Sequence, residues 1–161
     1  MNNKGQITVE YILLVGIIVI ILIFTTNIIL KETEKNTILI SAQSGAQIGI
    51  DKNGYAMYYN DTFNNYEENY PKLLQLTEIK IINITLQERE KTIILQVNLH
   101  TNQYLTNNEK YVIGYRVNYY IRKSISETFN QEQNDLYYEN LQTKNYKIET
   151  ETVKWVWEVK L

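Results

Sequence analysis

Glu10 is the ionisable residue whose surroundings most strongly indicate a function. It comes directly before residues 11–30, a segment that contains no charged residue. Ionisable groups at the edge of such an apolar segment are costly to bury and are usually functional. A carboxylate there favours a cationic partner once water is excluded. The alternative is that Glu10 merely marks a membrane boundary, with its carboxylate reaching back to the water.

The other polar groups do not have the composition of a catalytic or metal site. His100 is the one histidine of the sequence, and it falls on the polar face of a predicted strand, where we expect it to be solvated. The paired acids Glu67-Glu68 lie in a predicted loop, and Asp51–Gly54 lacks the spacing of an EF-hand. The lack of cysteine excludes disulfides and thiolate sites. We therefore predict no enzymatic activity, no catalytic residue, no metal and no cofactor.

The charge and length of the chain narrow the classes of protein further. The 161 residues suffice for one ordinary domain. The net charge of −2 comes without a basic cluster, so nucleic acid is not a predicted partner. Hydrophobic residues are concentrated in residues 11–30, and the remainder is rich in Asn, Tyr, Glu and Lys.

Residues 11–30 are long enough to span a membrane as a helix. At about 1.5 Å per residue they extend about 30 Å, the thickness of a bilayer core. A secretory signal peptide would have a shorter apolar run followed by a small-x-small cleavage site, whereas this run ends in Thr25-Thr26-Asn27-Ile28-Ile29-Leu30. A plain membrane anchor accounts for the length and gives no role to Glu10.

Four residues at fixed spacing precede and enter the apolar run: Gln6, Thr8, Glu10 and Leu14, directly after Lys4-Gly5. This pattern resembles the class III signal peptide of archaeal type IV pilin-like proteins, which has Gln, Ser, Glu and Leu at mature positions one, three, five and nine. Thr8 stands in place of Ser and keeps the hydroxyl. The resemblance covers about 25 residues.

The resemblance implies that a membrane prepilin peptidase cuts between Gly5 and Gln6. Small Gly5 suits a narrow peptidase subsite, and the new α-amino group would lie one helical turn from Glu10. The carboxylate of Glu10 would then pair with the amine of a neighbouring subunit and set the axial register of a filament. The implied partners are the peptidase, other pilin subunits, the assembly machinery in the membrane and, before assembly, membrane lipid.

The charge of Lys4 predicts a single-pass orientation with the N-terminus in the cytoplasm and the chain after Lys31 outside. The leading function is thus a major or minor subunit of an archaeal type IV pilus-like surface filament, which could serve adhesion. The alternative is a membrane-anchored adhesion or binding protein, or a tight-adherence-type pseudopilin, that does not polymerise.

The helix is predicted to continue past Leu30, because no Pro or Gly occurs between that residue and Gly45. Ile38, Ala42, Gly45 or Ala46, and Gly49 fall on one helical face, and their small size would allow close approach of a sheet or helix. We expect residues 1–5 to be a cleaved leader, 6–53 the long helix with 11–30 in the membrane, and 54–161 a β-rich headpiece outside the cell.

The headpiece is predicted to be an antiparallel sheet packed against the helix, which makes the fold class α+β and pilin-like. Four segments with period-two patterns are the predicted strands: Thr77–Leu86, Thr92–His100, Lys110–Arg122 and Glu151–Leu161. Gly54–Gln75 and Ser124–Asn145 are predicted polar connections, the second with a short helix near Leu136–Leu141.

Two sequons are candidate N-glycosylation sites, at Asn60 and Asn83. Asn60 lies in a predicted loop. Asn83 lies within a predicted strand, so it is accessible only if it faces solvent.

Overall fold

The computed structural model describes residues 3–54, 78–131 and 137–156 of the chain. In these ranges it contains helix α1 (Asn3–Gly54), strands β1 (Ile79–Arg89) and β2 (Thr92–Thr101), helix α2 (Asn107–Thr128), and strands β3 (Leu141–Gln142), β4 (Lys147–Thr150) and β5 (Lys154–Trp155). The predicted connection Gly54–Gln75 lies almost wholly outside the described residues. The chain divides into two compact units, Met1–Thr37 and Ile38–Leu161.

The predicted long N-terminal helix is confirmed by α1. In the first unit, the side chains of residues 9–33 are all exposed. In the second unit, the side chains of α1 alternate between buried pairs and exposed pairs from Ser41 to Ile50. This four-residue repeat is what one buried face of a helix produces.

Strands β1 and β2 form an antiparallel hairpin with Glu90 and Lys91 at its turn. Glu90 adopts a left-handed conformation with φ of 56°, which is uncommon for a residue with a side chain and typical of a tight turn. The predicted strand Thr92–His100 is confirmed, and its alternate residues Ile93, Leu95, Val97 and Leu99 are buried as the pattern predicts.

The imperfect alternation of the first predicted strand has a structural cause. The pairing register of β1 with β2 shifts between Ile81 and Asn83, which is the signature of a β-bulge. Before the bulge the residues that pack on the core are odd-numbered, and after it they are even-numbered, as Ile84 and Leu86 show. One extra residue therefore keeps the apolar side chains of both halves of β1 on the same face.

Two pairings of the sheet are parallel, so the sheet is mixed and not purely antiparallel. The strand order is β1-β2-β4-β3, and β5 also pairs with β2. Both β4 and β5 run parallel to β2, because α2 carries the chain back across the sheet after β2 ends. Of the predicted strand Glu151–Leu161, only Lys154–Trp155 forms a strand, residues 151–153 have no strand structure, and residues 157–161 lie outside the described residues.

The prediction of a strand over Lys110–Arg122 is wrong, because this segment lies in α2. Its apolar and aromatic residues occur at every second position, which fits a strand. The same pattern also fits a helix with two stripes, each of which has a residue at every fourth position. One stripe, Ile113, Val117, Ile121 and Ile125, is fully buried. The other consists of tyrosines, whose hydroxyls tolerate contact with water.

Helix α2 begins with a capping box that the sequence analysis overlooked. The side chain of Thr106 accepts a hydrogen bond from the backbone N–H of Glu109 (3.3 Å), and the backbone N–H of Thr106 donates to the Glu109 carboxylate (2.7 Å). Thr-x-x-Glu before an amphipathic segment is a sequence signal for a helix start. Helix α2 ends at Thr128. The prediction of a short helix near Leu136–Leu141 is also wrong, since Leu141 begins β3.

Helices α1 and α2 approach each other closely and run antiparallel. A Cβ added to Gly45 would lie 2.7 Å from the Cα of Ile121, and one added to Gly49 would lie 2.8 Å from the Cα of Val117. One turn before Gly45, the Ser41 hydroxyl donates to Thr128 Oγ1 at 2.9 Å. The small residues predicted to permit close approach thus contact a second helix.

The buried hydrophobic side chains form one core cluster that α1, α2 and the sheet all supply. Its fully buried members include Ile38 of α1, Leu95 of β2 and Ile121 of α2. The predicted α+β arrangement of a long helix and a β-sheet headpiece is therefore confirmed, with one strand of the prediction replaced by a helix.

We predict that Gly45→Ala destabilises the headpiece. The added methyl group forces apart two helix backbones, which costs about 1–3 kcal/mol, the usual penalty of overpacking. In a chain of this size the midpoint of thermal unfolding should fall by about 2–4 °C per kcal/mol. Circular dichroism of the full chain in detergent micelles measures this midpoint.

Gly16→Ala is the matched control, because a Cβ at Gly16 meets no atom within 4 Å. This change should leave the headpiece transition in place. Equal midpoints for the two variants would contradict the close helix contact.

Candidate functional site

The residues of the predicted signal motif lie in the first turns of α1, which begins at Asn3. Positions 6, 10 and 14 follow one another at four-residue spacing and therefore form one side of the helix, whereas position 8 lies away from it. Positions 6 and 10 are about 6 Å apart along the axis. The side chains of residues 3–8 lie outside the described residues, while those of Glu10 and Leu14 are exposed.

After Glu10, α1 presents apolar side chains to solvent on every side. The large hydrophobic residues from Tyr11 to Leu30 are all exposed, and Val15, the least exposed of them, still has 40% of its surface accessible. Among the described residues, α1 is the one helix long and apolar enough to cross a membrane, with a window of mean hydropathy 3.0. An apolar surface of this extent requires a partner phase, either lipid or protein.

Polar side chains inside the apolar run donate hydrogen bonds to the backbone of their own helix. Thr25 Oγ1 donates to the carbonyl of Ile21 (3.0 Å) or Leu22 (3.0 Å), and Thr26 Oγ1 donates to that of Leu22 (2.7 Å). One residue on, Asn27 Nδ2 donates to the carbonyl of Ile23 (3.1 Å). Since these bonds need no water, the two threonine hydroxyls are tolerated in hydrocarbon, and one N–H of the Asn27 amide is satisfied there.

The end of the apolar run is marked by charged side chains that pair with each other. Lys31 and Glu32 follow Leu30, and Lys35 Nζ lies 2.8 Å from Glu32 Oε1, one helical turn away. Lys31 and Glu32 are exposed, which fits the boundary between a membrane and water, where such groups are solvated.

The sequon at Asn83 faces solvent, whereas the sequon at Asn60 lies outside the described residues. Asn83 is exposed, next to the bulge of β1, and its Oδ1 accepts a hydrogen bond from Asn98 Nδ2. The Thr85 hydroxyl is half-buried and donates to the carbonyl of Gln96 at 3.4 Å. Asn83 therefore faces solvent, as glycosylation at this position requires. Its modification stays a prediction.

His100, which was expected to be solvated, is half-buried, and both of its ring nitrogens lie within hydrogen-bond distance of an oxygen atom. Its Nδ1 lies 2.8 Å from the carbonyl oxygen of Val156, and its Nε2 lies 3.0 Å from Asn102 Oδ1. The first of these contacts joins the end of β2 to the residue after β5. Sequence periodicity could not reveal this role, because the partner lies 56 residues away.

Two charged residues at the edge of the sheet form an ion pair on the surface. Lys80 Nζ lies 2.9 Å from Glu78 Oε1, and its hydrogen bond and positive charge lower the pKa of that carboxyl. Both side chains are exposed, so the pair contributes little to stability.

Residues 3–29 match the family model of the class III signal peptide. This segment is the hallmark of archaeal type IV pilin-like proteins, so the resemblance found in the sequence is confirmed. No curated protein and no solved structure matches the chain. A signal peptide of this class points to a structural, pilin-like protein that is a substrate of prepilin peptidase and is anchored in a membrane.

Proposed function

We propose that this chain is a non-enzymatic structural subunit of an archaeal type IV pilus-like surface filament. The observation that supports this function is the class III signal peptide at residues 3–29, which overlaps a helix whose apolar side chains are exposed on all sides. A cleavable segment placed before an apolar run leaves that run in the mature protein. The run can then be stored in the membrane and later packed against other copies.

Processing between Gly5 and Gln6 would prepare the helix for assembly. Cleavage removes the charge of Lys4 and creates a cationic α-amino group at the start of α1. That amine would lie one helical turn from Glu10 in its own chain. The position of the cut therefore decides which charges enter the filament.

Glu10 is proposed to set the axial register between neighbouring subunits. In a water-poor bundle of helices, an unpaired carboxylate is strongly disfavoured, and the α-amine of the next subunit is the natural cation. Apolar contacts between Ile and Leu side chains stabilise the bundle but are not directional. A charge pair distinguishes the correct axial offset from offsets one turn away.

Before assembly, the chain is proposed to be a single-pass membrane protein with its N-terminus in the cytoplasm. The charge of Lys4 favours this orientation. Residues 54–161 would then form the headpiece outside the cell, and assembly machinery in the membrane would extract the helix into the filament.

We predict that the mature protein begins at Gln6 and that Gly5→Val blocks processing, because a branched side chain does not fit a narrow subsite. N-terminal sequencing and the intact mass of the chain from native cells measure this. Thr8→Ser is the control, since it restores the residue of the family pattern and should be processed normally. A mature chain that keeps Met1, or one cut after Leu30, would favour a plain anchored adhesion protein.

We predict that Glu10→Gln is processed normally but fails to enter filaments. The change leaves the amine of the neighbouring subunit buried without its partner, at a cost of about 3–5 kcal/mol for each contact. Filaments sheared from cells and quantified by immunoblot give the yield. Glu32→Gln is the matched control, because it makes the same change at an exposed glutamate that pairs with Lys35 beyond the apolar run. A normal yield for Glu10→Gln would sink the register hypothesis.

We predict that Asn83 carries an N-linked glycan in the native protein. Asn83→Gln should then remove a discrete mass from the chain, as measured by mass spectrometry of the peptide that contains it. Asn98→Gln serves as the control, since Asn98 pairs with Asn83 across the hairpin and is not part of a sequon. An unmodified Asn83 peptide from native filaments would rule out this site.

A further inference from the structure

One face of the apolar part of α1 combines a glycine, two isoleucines and an asparagine. Gly16, Ile20, Ile23 and Asn27 follow one another at spacings of four, three and four residues. At about 100° per residue, Gly16 and Asn27 lie within about 20° of each other around the helix axis. The two isoleucines between them are exposed. We call these four residues the Asn27 face.

The amide of Asn27 is only partly hydrogen-bonded within the described part of the chain. Its Nδ2 donates to the carbonyl of Ile23 at 3.1 Å, and none of the described residues donates to its Oδ1. In hydrocarbon there is no water to satisfy this acceptor or the second N–H, and an unsatisfied polar group there is costly. In a membrane, Asn27 therefore needs a polar partner.

Water beyond the end of the apolar run is poorly placed to be that partner. Lys31, the first charged residue after the run, lies four residues and about 6 Å further along the axis. The bond to the carbonyl of Ile23 also holds the short Asn27 side chain toward the helix N-terminus, and so away from Lys31. A second helix at the same depth can supply the partner instead.

Gly16 lets a second helix approach this face. A Cβ at Gly16 would meet no atom within 4 Å, so contacts with the described residues do not require a glycine at this position. In membranes, small residues at helix interfaces let two backbones come close, and asparagine side chains hydrogen-bond across such interfaces. The Asn27 face has both features, with Ile20 and Ile23 placed to pack between them.

We propose that two copies of this chain associate in the membrane through the Asn27 face, before any assembly into a filament. Copies inserted in the same orientation have Asn27 at the same depth, so each Nδ2 can donate to the Oδ1 of the other. A different protein would need a polar group at that depth, whereas a second copy supplies it by symmetry. Isoleucine contacts alone would favour association little, because lipid tails are equally apolar. This inference rests on the membrane span and not on the filament.

Disulfide cross-linking of the full chain in isolated cell membranes tests which face is shared. The sequence has no cysteine, so a single one can be introduced. Ile20→Cys places the thiol on the Asn27 face, and Ile18→Cys places it on nearly the opposite side at a similar depth. Both isoleucines are exposed. On oxidation with copper phenanthroline, Ile20→Cys should give a several times higher yield of cross-linked dimer than Ile18→Cys.

The role of the amide is tested by adding Asn27→Leu to the Ile20→Cys chain. The yield of dimer should fall about threefold or more, as expected for the loss of hydrogen bonds between two membrane helices. Thr25→Val is the matched control, because it also removes a polar group near the end of the apolar run. Thr25 lies on nearly the opposite side of the helix, and its hydroxyl already bonds to its own backbone, so the yield should not change.

Two results would overturn the proposal. Equal yields from Ile20→Cys and Ile18→Cys would mean that the helices collide at random. An unchanged yield after Asn27→Leu would mean that water or lipid headgroups satisfy the amide. Both outcomes are separable from failure of the filament proposal, because cross-linking is measured in membranes before assembly. A chain that cross-links through Ile20→Cys but never enters filaments would contradict the filament alone.

Discussion

The apolar surface of α1 between Glu10 and Lys31 is the constraint on which the rest of the molecule depends. Burying one large aliphatic side chain contributes about 1.5–3 kcal/mol, and α1 exposes such side chains on every side over about 20 residues. No described residue of the chain covers them. The helix is therefore stable only in lipid or among other helices of the same kind. With the proposed cut between Gly5 and Gln6, before this apolar surface, the mature protein would keep the same requirement.

In the second part of α1, by contrast, the apolar face is buried against other residues of the same chain. Small residues at Ser41, Gly45 and Gly49 let the backbone of α2 approach to within contact distance. Ile40 and Ile48 lie on the opposite face and are exposed. The same helix thus changes from complete exposure to one buried stripe without a break in its hydrogen bonding. The composition changes with it, from branched aliphatic residues to Ala, Gly and polar residues.

Sequence patterns predicted the features that depend on local spacing and missed those that depend on distant partners. The signal motif, the apolar run and strand β2 follow from residues close in the chain. The strand assigned to Lys110–Arg122 failed because alternate apolar residues satisfy periods of two and of four, and the capping box of Thr106 and Glu109 was the signal that decides between them. The parallel pairing of β4 and β5 follows from that helix. The bond of Asn118 Nδ2 to the carbonyl of Glu151 could not be predicted, because its partner lies 33 residues away in the chain.

Under the proposed assembly, α1 lies first in lipid and then in a protein bundle, and both environments restrict where its polar groups can lie. The hydroxyls of Thr25 and Thr26 donate to carbonyls of their own helix, so a change of environment makes little difference to their free energy. Glu10 is different, because it carries the one formal charge between residues 9 and 30 and lies where the membrane meets water. Its carboxylate can be solvated at that surface, but a dry bundle removes the water and leaves pairing as the favourable state. In the proposed filament, transfer from membrane to bundle would therefore change the free energy of Glu10 more than that of the threonines, and its charge would make assembly sensitive to the offset between subunits.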